Sequence, residues 1–134
     1  MELIQEEGDC TVTGSYLLLY RAVYNLVENA IKHNHSGGKV TVKISQTKAL
    51  PAAHSKPADY ALVEVTDTGI GISPEYQEKI FAPFFRVDKS RSRAMGGAGL
   101  GLALVNEIAR QHGGQVKVLA SSEQGSTIAL VLPI

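Results

Sequence analysis

Two hydrophobic periods divide this chain. Residues 16–34 follow the helical one: with residues placed 100° apart, Leu19, Ala22, Val23, Leu26, Val27, Ala30 and Ile31 share one arc, and Arg21, Asn25, Glu28, Asn29 and Lys32 lie opposite. Ser15 stands at the N-cap position, and Gly37-Gly38 breaks the pattern. Residues 39–45 alternate with period two and predict a half-buried strand; residues 60–66 predict a second, long enough to pair antiparallel with it. Residues 49–59 between them form a polar, proline-bearing connection. Ser73-Pro74-Glu75 predicts the start of a short helix ending near Phe81, with proline at its first position. Residues 100–112 are helical again, with Leu102, Val105, Ile108 and Ala109 on one face, and Gly113-Gly114 ends them. Residues 115–120 and 127–132 read as closing strands joined through residues 121–126 as a hairpin, while Leu3-Ile4-Gln5 and Cys10-Thr11-Val12-Thr13 form two short β runs split by Gly8-Asp9. Strands, helix, strands, helices, strands predict an α+β layer sandwich.

The 134 residues suit one domain, and 44% hydrophobic with 19% charged residues is a folded, soluble balance. Thirteen basic residues against thirteen acidic give zero formal charge, which argues against a nucleic-acid binder or a domain held on a membrane surface. That zero is a cancellation: Glu2, Glu6, Glu7 and Asp9 cluster near the start, whereas Arg86, Lys89, Arg91 and Arg93 face only Asp88 in the aperiodic stretch after Pro83. Cys10 alone excludes an intrachain disulfide and fits a reducing compartment. No apolar run approaches the roughly 20 residues of a membrane span, and the opening residues do not read as a signal peptide.

Three places are costly for folding alone. The polar face of residues 16–34 carries Asn25 and Asn29, poor helix formers that a solvated face has no need of. It is either such a face or a wall of amide oxygens and an ammonium turned to an ion and an anion. Asp67-Thr68-Gly69-Ile70-Gly71 follows a strand; Asp67 either caps a turn or accepts a hydrogen bond from an exocyclic amine beside a closely approached backbone. Gly96-Gly97-Ala98-Gly99-Leu100-Gly101-Leu102 puts four glycines at a helix threshold, where each costs about 1 kcal/mol against alanine. Free N–H groups there form a phosphate cradle. It is not a dinucleotide fingerprint, since Leu102 stands where the last glycine is needed, and not a P-loop, since Leu102-Ala103 replaces Lys-Ser/Thr.

As an ordered set these segments resemble the boxes of the catalytic, ATP-binding domain of sensor histidine kinases, a group related to type II topoisomerases, heat-shock 90 chaperones and mismatch-repair ATPases. Asn25-Leu-Val-Glu28-Asn29-Ala-Ile-Lys32-His33 resembles the N box and Asp67-Thr-Gly69-Ile-Gly71-Ile72 the G1 box. Phe81-Ala-Pro83-Phe84-Phe85-Arg86 resembles the F box, Gly97-Ala98-Gly99-Leu100-Gly101-Leu102 the G2 box, and Gly125-Ser126-Thr127 the entry to the closing strand. The resemblance runs nearly end to end. It implies a two-layer α/β sandwich of the Bergerat type over a mixed, mostly antiparallel sheet, with a flexible ATP lid at about residues 82–98.

It also implies roles. Asp67 accepts the adenine amino group, with Gly69, Gly71 and Ile72 beside it and Thr127 near the adenine floor. Asn29 is the protein ligand of Mg²⁺, whose other positions go to phosphate oxygens and water. Asn25 and Lys32 face the phosphates, and His33 borders the nucleotide. Gly97, Ala98, Gly99, Leu100 and Gly101 line the phosphate chain, mainly through backbone amides, with Leu102 packed beneath. Phe81, Phe84 and Phe85 pin the lid, and Arg86 lies near the γ-phosphate. Cofactors are thus ATP and Mg²⁺, with Asn25, Asn29, Lys32 and Arg86 carrying the catalysis.

In the hydrolysing relatives a glutamate stands four residues before the Mg²⁺-binding asparagine; here that position is Asn25, which cannot take a proton. The resemblance therefore implies slow hydrolysis and transfer of the γ-phosphoryl to a protein acceptor. His33, His35, His54 and His112 are followed by Asn, Ser, Ser and Gly, not by the acidic residue of phosphoacceptor histidines. The acceptor is then expected on a separate helical dimerisation domain of a longer, membrane-anchored kinase, of which this is a cytoplasmic, monomeric part acting upstream of a response regulator. The alternatives are a stand-alone serine kinase of the anti-sigma type, disfavoured by the phenylalanine-rich F box, and a degenerate nucleotide-binding module that regulates by docking.

Overall fold

A computed structural model describes residues 2–5, 12–47, 59–83 and 101–134. The elements run β1 (Glu2–Gln5), α1 (Tyr16–Lys32), β2 (Val40–Thr47), β3 (Tyr60–Asp67), two 3₁₀ turns (Pro74–Tyr76 and Lys79–Phe81), α2 (Gly101–Gln111), β4 (Gln115–Ser122) and β5 (Gly125–Pro133). The sheet order is β1-β2-β3-β5-β4. β1 lies parallel to β2, and every other pairing is antiparallel. The expected mixed, mostly antiparallel sheet is therefore present.

One face of the sheet carries the core. Val40 and Val42 of β2, Val63 and Val65 of β3, Val116 of β4 and Ile128, Leu130 and Leu132 of β5 pack against Ala22, Leu26 and Ala30 of α1 and Val105, Ile108 and Ala109 of α2. Alternation sends the intervening residues of β2 and β3 to the other face. β5 is apolar on both: Ala129 and Val131 are as buried as Leu130.

α1 begins as expected at Ser15, whose hydroxyl accepts the Leu18 N–H at 3.2 Å. It ends at Lys32, two residues short of the predicted limit, and His33 is the C-cap. Its apolar arc is narrower than predicted, because Ile31 is 57% exposed. On the outward side Tyr16, Tyr20 and Tyr24 stack turn on turn, ring centroids 6.3 Å apart, a cross-turn contact that supports the helix without a partner element.

Three further expectations change. The helix predicted from Ser73 to Phe81 is two separate 3₁₀ turns, since a proline start followed by so few residues does not sustain α geometry. The β4–β5 hairpin closes through Glu123 and Gln124 alone, both strands extending into the expected loop. Val12 and Thr13 are not in a strand; the rest of that β run, and most of residues 49–59, lie outside the described residues.

His112 joins the two helices. Its Nδ1 donates to the Ile108 carbonyl at 2.8 Å, and its Nε2 accepts the Ser15 N–H at 3.1 Å. A backbone N–H can only donate, so the ring is neutral with its proton on Nδ1. A Cβ on Gly14 would fall on this ring. Replacing His112 by Ala removes both bonds and is expected to cost about 1–2 kcal/mol of stability. Urea unfolding followed by circular dichroism checks it, and an unchanged midpoint would remove the linking role.

Candidate functional site

β3 ends at Asp67, in register with Ser126 of β5. The pair shares a face with Val65 and Ile128, so the carboxylate projects toward the helical layer, and Asp67 is only 7% exposed. Its Oδ1 accepts the Gly69 N–H at 2.9 Å, and its Oδ2 accepts the Ser126 hydroxyl at 2.9 Å. A carboxylate offers about four lone-pair sites, so two remain for an incoming donor. Thr127, expected near the same floor, borders a cavity with Asp67 and Ser126, but its hydroxyl does not face the carboxylate. It pairs with Thr66, hydroxyl to hydroxyl at 2.9 Å, on the opposite face of the sheet. A one-residue step along a strand reverses the face, and Ser126 holds the place assigned to Thr127.

The loop after Asp67 is clamped from both sides. A Cβ on Gly69 would collide with the His33 carbonyl at the end of α1. Gly71 has φ +77°, and a Cβ there would collide with the Ser122 carbonyl at the end of β4. Ile72 donates its N–H to Ser121 Oγ at 2.6 Å, accepts Gln77 Nε2 at 3.2 Å, and packs against the core. Thr68 donates its hydroxyl to Asn34 Oδ1 at 3.1 Å and accepts the Lys39 N–H at 2.8 Å, while Asn34 Nδ2 donates to the Lys39 carbonyl at 3.0 Å. Asn34 and Thr68 were missed in the sequence; a helix-ending Asn and a Thr beside the Asp were the available signals.

From this loop α1 runs away with Lys32, Asn29 and Asn25 on one side, all half-buried, and His33 exposed at its cap. Lys32 Nζ lies 2.7 Å from Glu28 Oε1. Its hydrogen bond and charge hold the Glu28 carboxyl below its ordinary value, so the pair is intact above the usual carboxylate range and is lost as pH falls through the lowered value. Being solvent-screened, it adds little stability. Asn29 has no side-chain hydrogen bond among the described residues. Gly101 opens α2 beside Asn25: a Cβ there would lie 3.7 Å from Asn25 Oδ1. Leu102 and Phe81 pack at the core's edge nearby. A cavity of about 700 Å³, lined by Asn25, Phe81, Pro83 and Gly101 among others, opens between α1 and α2. Phe85, Arg86, Gly97, Ala98, Gly99 and Leu100, with most of the expected lid, lie outside the described residues. Two clusters of expected residues are thus brought together, one around Asp67 and one around Asn25.

Residues 14–134 match the model of the histidine kinase-, DNA gyrase B- and HSP90-like ATPase family. The chain belongs to this family. It is 43% identical over 122 residues to the sensor-like histidine kinase SenX3 of Mycobacterium tuberculosis, covering 91% of this chain and 27% of that protein. It therefore spans about a quarter of the length of that relative. The mycobacterial sensor histidine kinase MprB superposes with a TM-score of 0.76 at 32% identity, covering 98% of this chain and 80% of that one. Full-length ShkA, solved in complex with AMPPNP, superposes with a TM-score of 0.74 at 27% identity, covering 98% of this chain and 25% of that one. The fold is the two-layer sandwich expected.

Asp67→Asn keeps an acceptor for Gly69 but loses the charge. It is expected to weaken binding of a fluorescent adenine nucleotide by about 10–100-fold, the worth of a charged hydrogen bond. Ser126→Ala should weaken binding and Thr127→Val should not; the reverse order in the titrations would overturn the facing of β5.

Proposed function

We propose that this chain is the ATP-binding catalytic domain of a sensor histidine kinase, which binds Mg-ATP and passes its γ-phosphoryl to a histidine on a helical dimerisation domain. The observation that carries the reading is the buried Asp67 carboxylate, oriented by Gly69 and Ser126 at one end of a helix that presents Asn29 and Asn25 in sequence. An adenine amino group satisfies the remaining lone pairs of Asp67; a guanine carbonyl there would face like charge. The nucleotide analogue in ShkA, a protein of the same fold, supports this occupant.

The donor set suits Mg²⁺. Asn29 offers one hard amide oxygen with no competing side-chain partner among the described residues, and Mg²⁺ takes few protein ligands when phosphates and water supply the rest. When bound, the ion offsets charge on the phosphates. Asn25 and Lys32 orient the chain, and Gly101 lies where the phosphates pass. In the transfer the bond between γ-phosphorus and the β–γ bridging oxygen breaks, ADP leaves, and a phosphorus–nitrogen bond forms to imidazole. Asn25 cannot take a proton, and Glu28, the nearest carboxylate on the helix, is engaged by Lys32 at 2.7 Å. Both facts favour transfer over hydrolysis.

The identity with SenX3 and the short share of its length support a place within a longer sensor kinase, anchored in a membrane, with this part cytoplasmic and a response regulator downstream. Among the described residues, no helix is long and apolar enough to cross a membrane. The lid at about residues 82–98 belongs to the same reading.

Radiolabelled ATP incubated with this chain and a supplied helical dimerisation domain is expected to label that domain through an acid-labile bond. Acid-stable label would point to serine, and no label to a regulatory module. Asn29→Ala is expected to lower the Mg²⁺-dependent rate on the order of 100-fold; undiminished transfer would remove the Mg²⁺ role.

A further inference from the structure

Arg21 stands on α1 one turn before Asn25, and the two line the 700 Å³ cavity together with Gly101, Phe81, Pro83 and Arg110. Among the described residues, two guanidinium groups thus border the cavity. Arg110 is engaged with Glu107, 3.4 Å away on its own helix. Arg21 is exposed and has no ion-pair or hydrogen-bond partner among the described residues. Lys32, at the other end of the same helical face, is offset by Glu28. The polar side of α1 therefore carries its uncompensated positive charge at the end away from Asp67.

The order along the helix fixes what that charge meets. Asn29, Asn25 and Arg21 follow at intervals of four residues, each step rising about 6 Å and turning about 40°. The Asp67 loop abuts the helix end beyond Asn29, through Gly69 on the His33 carbonyl. A nucleotide with its base on Asp67 and its phosphates passing Asn29 and then Asn25 runs out of chain beside Arg21. We infer that Arg21 binds the terminal phosphate and is the residue by which this site tells ATP from ADP. The inference rests on the functional reading above. A guanidinium meets phosphate oxygens with two parallel N–H donors and stays charged at any working pH. Its backbone is fixed by a helix that packs into the core, and its exposed side chain is free to reach the phosphate.

The test measures dissociation constants for Mg-AMPPNP and Mg-ADP by calorimetry on the 134-residue chain and its variants. Arg21→Ala is expected to weaken AMPPNP binding by about 10–100-fold while ADP binding stays within twofold, so the ratio of the two constants moves by tenfold or more. Arg21→Lys should recover part of the loss. Lys117→Ala, which removes one positive charge from β4 on the far side of the sheet, should leave the ratio unchanged. Because Arg21 is exposed, thermal unfolding should not move. Equal losses for both nucleotides, or for neither, would overturn the inference alone. A wild-type chain that binds neither nucleotide would overturn the functional reading and the inference with it.

Discussion

The structure turns on one buried carboxylate. Asp67 sits at the end of a core strand, in the layer occupied by Val65 and Ile128, where an unpartnered charge costs several kcal/mol. Two donors make it tolerable, and each commits a different part of the chain. The Gly69 N–H requires the loop to turn back at once, and Ser126 requires β5 to pair with β3 in the observed register. Slipping β5 by one residue would set Thr127 opposite Asp67 and turn the apolar row of Ile128, Leu130 and Leu132 out of the core. Core packing and carboxylate orientation therefore select the same register.

That constraint reaches α1 through the loop. Gly69 and Gly71 let the backbone pass between the His33 and Ser122 carbonyls with no room for a Cβ, and Thr68 and Asn34 tie the loop to the helix end. α1 is held at its other end by Ser15, whose side chain caps the helix and whose N–H meets His112 of the α2 terminus. A helix fixed at both ends and packed along Ala22, Leu26 and Ala30 has no rotational freedom left. Its remaining sides are thereby assigned: the stacked tyrosines face outward, Arg21 and Asn25 line the cavity, and Asn29 and Lys32 continue their face toward the Asp67 loop.

Period was the legible part of the sequence. Strands 39–45 and 60–66 alternate because one face is buried and the other is not, and helices 16–34 and 100–112 carry clear apolar arcs; these elements stand within two residues of expectation. The failures have one kind of cause. β5 is apolar on both faces, so nothing in Ser126-Thr127-Ile128-Ala129-Leu130 told which hydroxyl turns toward Asp67, and the register of a distant strand decided it. Ser73-Pro74-Glu75 has the right helix-start residues, but local signals do not say whether enough packed turns follow to sustain a helix. Ile31 lies at the margin of its arc, where burial depends on what the neighbouring element covers. The Asp67 and Asn25 clusters were legible because they carry residues that folding alone makes costly.

The missing base bears on the choice of acceptor in the proposed reaction. Water and serine hydroxyls attack phosphorus well only when a base removes their proton, and this helix offers none: Asn25 has no basic lone pair, and Glu28 is bound to Lys32. A neutral imidazole needs no such help. One ring nitrogen carries a free lone pair near pH 7 while the other keeps its proton, so it attacks directly and releases a proton only afterwards. A site that orients the triphosphate and offsets its charge, with no free base on this helix, is therefore slow toward water and toward serine alike while remaining competent toward histidine. On that view, Asn25 in place of a carboxylate preserves ATP for its partner and simultaneously selects what kind of side chain the partner must bring.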